Sequence, residues 1–436
     1  MSTWAIYLTG GGALMFALFL LGAPIFVAFL VTIVIGTAVV IGPAGFAMLA
    51  NSLYDTATGT SLASIPLFIL MGELLFRSGT MDVLFNSVDR IIGRVRGRQY
   101  VLIVTLSAVF GALSGAAMAV AAMLGRAIMP GIVRRGYDPK LAAGLILGGA
   151  TLAPIIPPSI LAIIIGTLAD VSIARLLIAG ILPGLVVAGL FFIYIAVLIR
   201  IRPSLSPPLD ADVVNAPLRQ KAVALFNVSP FLLIIFMVMG LIMLGIATPS
   251  ESAATGVAGA IATAAVYRKL SLRMIYQSLA STVIVSGGVL IIMATSKMFT
   301  QLLAFTGATR ALVAAVMDLG LDPTSMLFVM LLVPFILCMF VDQIAIMLIL
   351  VPLFQPLVKS FGFEPTWFWL LFLINMSLGG ITPPLGYTIF AFQSVASQLP
   401  LQKTFVAVLP FVAIFLVGMF LMVVFPEIVT FLPSLI

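Results

Sequence analysis

The sequence predicts an all-α polytopic membrane protein whose two halves repeat with inverted topology. Hydrophobic types make up 63% of the 436 residues and charged types only 8%, whereas soluble domains carry about 25% charged residues. Several segments are long and apolar enough to span a bilayer as helices. Glycine and proline clusters recur at a constant shift of 226 positions. This composition excludes an ordinary soluble enzyme, a disordered chain and a nucleic-acid-binding protein.

The chain has no histidine and a single cysteine, Cys338. These counts exclude disulfide bonds within the chain, zinc sites with His or Cys ligands, and catalytic sites that depend on histidine. Any bound ion is therefore expected to be a hard cation held by oxygen atoms. The first apolar stretch, 4–21, lacks a basic leader and a small-residue cleavage site, so we expect a retained span rather than a signal peptide.

Eight segments have the roughly 20 predominantly apolar residues that a spanning helix needs. These predicted spans are 4–21, 24–42, 61–77, 174–200, 226–247, 249–267, 278–305 and 404–432. Two further segments, 80–97 and 307–321, place apolar residues at helical spacing among polar ones. That pattern predicts amphipathic arm helices at the membrane surface.

Two apolar regions of about 35 residues are too long for one span and carry polar or flexible residues at their centres. The region 99–135 is interrupted at Ser114-Gly115, and the region 323–360 at Asp342-Gln343. Each region is predicted to be a re-entrant hairpin that enters and leaves the membrane on the same side.

A broken helix is predicted after each hairpin, over 139–172 and 365–400. Pro157-Pro158 interrupts the first and Pro383-Pro384 the second, because proline lacks the backbone N–H and disfavours helix before it. Non-helical backbone at membrane depth is tolerated where it is buried in protein or lines a cavity.

The shift of 226 positions superposes the two halves without a gap. The matched pairs are Pro130 with Pro356, Gly136 with Gly362, Pro139 with Pro365, and Pro157-Pro158 with Pro383-Pro384. The predicted repeats are 1–202 and 222–436, joined by a polar connector, 203–221. Basic residues cluster in the connector and at the base of the first hairpin, which places these regions in the cytoplasm. The second hairpin's base and both termini are then predicted outside, in the periplasm.

Broken helices supply the groups that an ion and substrate site requires. A helix break leaves unpaired carbonyls at one cut end and unpaired N–H groups at the other, suited to a cation and an anion respectively. Inverted repeats with such breaks place their binding site near the bilayer midplane. We expect the breaks to be Ser114-Gly115, 153–159, Asp342-Gln343 and 379–384.

Several polar residues in apolar surroundings allow two interpretations each. Asp342 either binds an ion or substrate or caps the helix that follows it. Candidate substrate contacts, which could equally pack between helices, are Thr151, Ser159, Gln343, Asn375 and Ser377. Glu73, Arg126 and Lys297 are candidates for structural pairing or for substrate contact.

Six motifs occur in an order that resembles the large membrane subunit of TRAP (tripartite ATP-independent periplasmic) transporters. They are 111–115 (GALSG), 135–138 (RGYD), 156–159 (IPPS), 179–184 (AGILPG), 248–251 (TPSE) and 380–386 (GITPPLG). The resemblance covers essentially the whole chain. It implies an elevator-type secondary transporter in a bacterial or archaeal inner membrane, with no enzyme activity and no cofactor apart from sodium as coupling ion.

The resemblance also implies sodium sites, partners and a substrate class. The sodium residues carried over are Ser114, Gly115, Ala153, Ile156 and Pro158 in the first half, and Asp342, Gly379, Gly380 and Thr382 in the second. The implied partners are a small four-helix membrane subunit and a periplasmic substrate-binding protein that delivers an organic acid. The scaffold would comprise mostly 1–79 and 174–305, and the mobile core 99–172 and 323–400.

One departure concerns the first hairpin tip, where Ala116 and Ala117 replace hydroxyl residues that the family often has. Side-chain contacts from this tip are therefore in question, although backbone carbonyls remain. An alternative within transport is a stand-alone ion-coupled anion symporter of similar inverted-repeat fold that needs no binding protein.

Overall fold

The computed structural model describes residues 3–93, 95–207 and 217–436. Residue 94 of the predicted arm and residues 208–216 of the predicted connector lie outside this range. The described residues form helices joined by short turns, without a strand among them. Within the described residues, six helical segments are long and apolar enough to cross a membrane: Ala117–Arg134, Ile173–Ile201, Arg219–Met243, Leu272–Phe305, Gln343–Ser360 and Leu401–Val424. The prediction of an all-α polytopic chain is confirmed.

Eleven helices lie within the described part of the first half. They are α1 (Thr3–Leu20), α2 (Ile25–Val40), α3 (Ala44–Thr58), α4 (Ser64–Arg77), α5 (Thr80–Ile92), α6 (Arg98–Ser114), α7 (Ala117–Arg134), α8 (Pro139–Ala150), α9 (Ile160–Leu168), α10 (Ile173–Ala179) and α11 (Ile181–Ile201). A 3-10 turn, Thr60–Ala63, separates α3 from α4.

Ten helices follow in the described part of the second half. They are α12 (Leu218–Met243), α13 (Pro249–Val266), α14 (Leu272–Phe305), α15 (Ala308–Met317), α16 (Pro323–Cys338), α17 (Gln343–Ser360), α18 (Pro365–Gly379), α19 (Tyr387–Gln393), α20 (Leu401–Val424) and α21 (Glu427–Thr430). Short 3-10 turns lie at Pro203–Leu205 and Pro433–Leu435.

The helix starts show the internal repeat in detail. Asp138 caps α8 by accepting hydrogen bonds from the N–H groups of Lys140 and Leu141, and Glu364 caps α18 in the same way from Trp367. A glycine in the left-handed region precedes each cap by two residues, with φ of 72° at Gly136 and 70° at Gly362. The matched glycines and prolines of the sequence therefore mark the same backbone turns in both halves.

The two halves differ most at the third and fourth helices. The chain breaks between α3 and α4 at Gly59, whose extended backbone (ψ 110°) cannot continue a helix. The corresponding part of the second half is the single helix α14, which has 34 residues and is about 51 Å long at 1.5 Å per residue. Helix α3 was not predicted, because Asn51, Ser52 and Asp55 interrupt its apolar pattern.

Two groups of helices pack separately and meet along a shared face. The scaffold group is α1–α4 with α12–α14: α2, α3 and α4 pack on α14, and α4 and α12 pack on α13. The core group contains both hairpins (α6–α7 and α16–α17) and both broken helices (α8–α9 and α18–α19). Helix α8 packs on α6, α7 and α20, while α18 packs on α16.

Helix α11 was predicted in the scaffold, but it packs with the core group. Its neighbours are α6 and α20. Phe191 lies edge-on to Phe411 and Phe415, with ring centroids 5.4 and 5.6 Å apart. The glycines of α8 let α20 approach closely, since a Cβ on Gly148 would lie 2.8 Å from the Cβ of Phe411. The buried face of α11 is therefore determined by aromatic packing, which its uniformly apolar sequence does not reveal.

Candidate functional site

The first hairpin tip packs directly against the first broken-helix loop. Helix α6 ends at Ser114, and Gly115 adopts a left-handed conformation with φ of 62°. A Cβ on Gly115 would lie 2.9 Å from the carbonyl oxygen of Pro158, and one on Gly111 would lie 2.8 Å from the Cα of Ala153. The absence of side chains at both glycines thus allows tip and loop backbones to touch.

Most of the predicted sodium residues of the first half lie in this contact. Gly115, Ala153 and Pro158 meet there, with Ser114 next in the chain. The side chain of Ile156, in contrast, packs against Gly184 of α11. Four of the five predicted residues therefore lie at this contact. The side chain of the fifth, Ile156, instead packs against α11.

The hydroxyl groups around this tip are buried and hydrogen-bonded within the protein. The Ser114 hydroxyl donates to the carbonyl of Phe110 (2.8 Å), and the Thr151 hydroxyl donates to that of Gly148 (2.6 Å). Ser159 caps α9. Because each hydroxyl oxygen has two lone pairs, an oxygen that has donated its hydrogen can still accept or coordinate.

The second tip repeats this arrangement with different side chains. Asp342 caps α17, and its Oδ1 accepts a hydrogen bond from the N–H of Ile344 at 2.9 Å. The N–H of Gly386 donates to the carbonyl of Met339 at 3.3 Å, which ties the loop to the tip. The N-cap interpretation of Asp342 is thus shown directly, and its role as an ion or substrate ligand stays a prediction.

Glycines also allow close packing around the second loop. A Cβ on Gly379 would lie 2.6 Å from the Cβ of Cys338, so α18 and α16 meet at their last turns. The N–H of Thr388 donates to the carbonyl of Gly380 (3.1 Å), and the Thr382 hydroxyl donates to the carbonyl of Leu378 (2.8 Å). The predicted sodium residues of the second half therefore border one tip-and-loop contact.

The predicted substrate residues divide into two kinds. The Asn375 amide donates to the carbonyl of Leu331 in α16, and the Ser377 hydroxyl donates to the carbonyl of Leu373 within its own helix (2.8 Å). The first bond ties α18 to α16, and the second lies within α18. Gln343 differs, because its Oε1 is buried without a hydrogen-bond partner among the described residues. It is a free acceptor directly beside Asp342.

The two tip regions differ in exposure. Residues 151–155 and 157–159 of the first loop are buried. Around the second tip, Phe340 is 56% and Leu385 44% exposed. The second tip and its loop thus reach the surface of the protein, whereas the first loop is enclosed.

The scaffold approaches the first tip at a position that the sequence did not reveal. A Cβ on Gly72 of α4 would lie 3.5 Å from the Cα of Ser114. The next residue, Glu73, forms an ion pair with Arg77 one turn later at 2.5 Å. Glu73 therefore pairs within its own helix and does not tie the scaffold to the core. Arg126 is exposed and forms no ion pair with the described residues.

A large cavity lies between the scaffold and core groups, with a volume of about 1140 Å³. We call it the interdomain cavity. Its walls include Thr56, Gly59, Gly166, Asp170, Glu251 and Lys297. Lys297, a candidate for structural pairing or substrate contact, lines it. The predicted sodium residues and the predicted substrate residues of the tips and loops do not line it, so it is separate from the tip-and-loop contacts.

Comparison with known proteins gives a family match over nearly the whole chain. Residues 13–428 match the family described as "Tripartite ATP-independent periplasmic transporter, DctM component". The ectoine TRAP transporter large permease protein TeaC of Halomonas elongata is 30% identical over 97% of this chain and 98% of its own. The C4-dicarboxylate TRAP transporter large permease protein DctM of Pseudomonas aeruginosa is 29% identical over 91% of this chain and 92% of its own.

A solved structure has a similar fold. The YdaH transporter of Alcanivorax borkumensis superposes with a TM-score of 0.64, covering 90% of this chain and 95% of that one at 15% sequence identity. At this identity the likeness concerns the arrangement of helices and not the substrate.

Proposed function

The chain belongs to the DctM component family of tripartite ATP-independent periplasmic transporters, and we propose from this premise that it imports an organic acid together with sodium ions. It is a multi-pass inner-membrane subunit of a transporter and not an enzyme. The observation that carries the proposal is the repeated contact of a hairpin tip with a broken-helix loop, once in each half.

The proposed sodium sites lie at these two contacts. In the first, backbone oxygens of Ala153, Ile156 and Pro158 and the hydroxyl of Ser114 would surround the ion. In the second, the ligands would come from Asp342, Gly379, Gly380 and Thr382. Sodium suits such sites because it is a hard cation that prefers oxygen ligands. The substrate would lie between the contacts, near Thr151, Ser159, Gln343, Asn375 and Ser377.

The proposed mechanism is an elevator motion of the core against the scaffold. The separate packing of the two helix groups supports it. The arms α5 and α15 each connect a scaffold helix to a hairpin. Gly72 supports it as well, because a glycine facing the tip presents a smooth surface for sliding.

The proposed complex has two further subunits. A small membrane subunit with four helices would brace the scaffold, and a periplasmic substrate-binding protein would deliver the organic acid. The proposed orientation places both termini and the base of the second hairpin on the periplasmic side. A carrier of this kind has no need for a cofactor other than the coupling ions.

The test separates the capping role of Asp342 from its role as a sodium ligand. Asn is as good an N-cap as Asp, so Asp342→Asn should keep the fold while removing the charge. In proteoliposomes with both partner subunits, we expect this variant to lower sodium-driven uptake at least roughly tenfold. It should also lose the stabilisation that sodium binding at the second contact gives the purified chain, which is about 2.7 kcal/mol at roughly 100 times the dissociation constant of that site.

The matched control is Asp322→Asn, which changes an equivalent cap at the start of α16, where Asp322 accepts from Thr324 and Ser325. This variant should retain sodium-dependent uptake. Uptake by Asp342→Asn that depends on sodium as in the parent would exclude Asp342 from the site. Uptake without any binding protein would instead support a stand-alone symporter.

A further inference from the structure

The interdomain cavity has a scaffold wall and a core wall. The scaffold wall is formed by the α3–α4 break, the start of α13 and one face of α14, and the core wall by residues 166–174 and Gln355. Its volume of about 1140 Å³ exceeds the 300–1,000 Å³ of ordinary small-molecule sites. The cavity therefore has room for an organic solute together with its water.

Lys297 is a cation of this cavity that forms no ion pair with the described residues. It lies on α14 between buried residues, Ser296 and Met298, yet its own side chain is exposed. Among the described residues, the ion pairs are Glu73–Arg77 and Asp89–Arg98, so no carboxylate neutralises Lys297. An ionisable side chain that projects from an apolar spanning helix into a cavity is typical of a substrate pathway.

Gln301 adds a second donor on the same face. It follows Lys297 by four residues, so the two side chains are neighbours on α14. Its Oε1 accepts a hydrogen bond from the Ser52 hydroxyl at 2.6 Å, which fixes the amide so that its nitrogen is the group left for a ligand. An ammonium and an amide N–H side by side form a receptor for one carboxylate group.

The remaining charges of the cavity are negative. Asp55 and Asp170 line it and form no ion pair with the described residues. Glu251 is occupied at the rim, because its carboxylate accepts from the N–H and hydroxyl of Thr248 at 2.8 Å. A ligand with two carboxylates would thus meet one cation and two free anions. A zwitterion with a single carboxylate matches both signs.

We propose that the interdomain cavity is an entry site that binds a zwitterionic monocarboxylate, with its carboxylate on Lys297 and Gln301 and its cationic end toward Asp55 and Asp170. This inference rests on the proposed transport function and adds a site outside the hairpin tips. In the proposed orientation the cavity faces the periplasm, where the ligand would arrive before reaching the core.

The test measures protection of Lys297 from acetylation by a water-soluble succinimidyl ester, with the full chain in nanodiscs and mass spectrometry as the readout. The four probes are 4-(trimethylammonio)butyrate, butyrate, succinate and butyltrimethylammonium. None of them carries a reactive amine. We expect the zwitterion to slow acetylation of Lys297 by about tenfold at roughly ten times its dissociation constant. Exposed Lys269 and Lys403 are internal controls whose labelling should not change.

Two outcomes would overturn the inference. Absence of protection by every carboxylate would exclude the site, and equal protection by succinate would exclude the preference for a zwitterion. Because labelling needs no transport, these results are distinguishable from failure of the proposed function. In uptake assays, Lys297→Met should raise KM roughly tenfold with little change in kcat. Lys297→Arg should keep KM near that of the parent, and Lys403→Met should change neither KM nor kcat.

Discussion

Gly115→Ala perturbs the contact between the first tip and its loop with the addition of one methyl group. Gly115 has φ of 62°, and an alanine in this left-handed region costs about 1–2 kcal/mol. The new Cβ would also lie 2.9 Å from the carbonyl oxygen of Pro158, a distance that real Cβ atoms essentially never show. Because the obstacle is backbone, relief requires the tip or the loop to move.

Gly136→Ala is the matched control for this change. Gly136 has φ of 72°, so the conformational cost is the same, but a Cβ there would meet no atom of the described residues within 4 Å. Any difference between the two variants therefore isolates the tip-and-loop contact from the general cost of a left-handed alanine.

The assay is thermal unfolding of the purified chain in sodium chloride and in choline chloride. In choline, both variants should lose the conformational cost of a left-handed alanine, and Gly115→Ala should lose more because of its close contact. Only Gly115→Ala should lose the part of the sodium stabilisation that the first contact contributes. If this variant kept the full sodium effect, or if Gly136→Ala lost as much of it, the placement of an ion at this contact would be refuted.

Three further substitutions probe the packing of the core and the base of the first hairpin. Gly148→Ala should lower the melting temperature, because its Cβ would lie 2.8 Å from that of Phe411, whereas Gly189→Ala, with nothing within 4 Å, should gain up to about 1 kcal/mol of helix propensity. Arg98→Met should cost about 1.5–3 kcal/mol, since it removes the ion pair at 2.8 Å from the partly buried Asp89, which keeps only the more distant charges of Arg90 and Arg135. Burial already raises the pKa of Asp89, so folding favours the protonated acid, and Arg98→Met should regain stability as pH falls through the raised pKa. A loss of equal size at every pH would contradict this account.

The repeat could be predicted because its markers act locally. Pro139 and Pro365 each start a helix behind an acidic cap, and Gly136 and Gly362 each supply the left-handed turn before it. These residue types are required by the backbone conformation of their own position. Their spacing along the chain therefore marks the same turns in both halves, wherever the helices later pack.

Other features could not be predicted, for reasons that differ from place to place. Helix α3 was missed because Asn51, Ser52 and Asp55 interrupt its apolar pattern. The partner that makes the buried Ser52 acceptable, Gln301, lies far away in the chain on α14. Helix α11 was wrongly assigned to the scaffold, because a uniformly apolar helix does not indicate which neighbouring helix it faces. The sequence identifies Lys297 as a charge within an apolar stretch. Its position in a cavity wall could not be predicted, because five separate segments of the chain line that cavity.

Sequence patterns alone predicted a helical membrane protein with a repeat of 226 positions, and they predicted the helix breaks at Ser114-Gly115, 153–159, Asp342-Gln343 and 379–384 but not the break at Gly59. Composition, apolar run length and the positions of glycine and proline act on each segment alone, so they can be read without knowledge of the fold. The packing of distant helices brings Gly115 against Pro158, gives the Asn375 amide the carbonyl of Leu331 as its acceptor, and places Lys297 and Asp170 in the wall of one cavity. Those contacts join segments far apart in the chain, and they depend on how closely the helices pack.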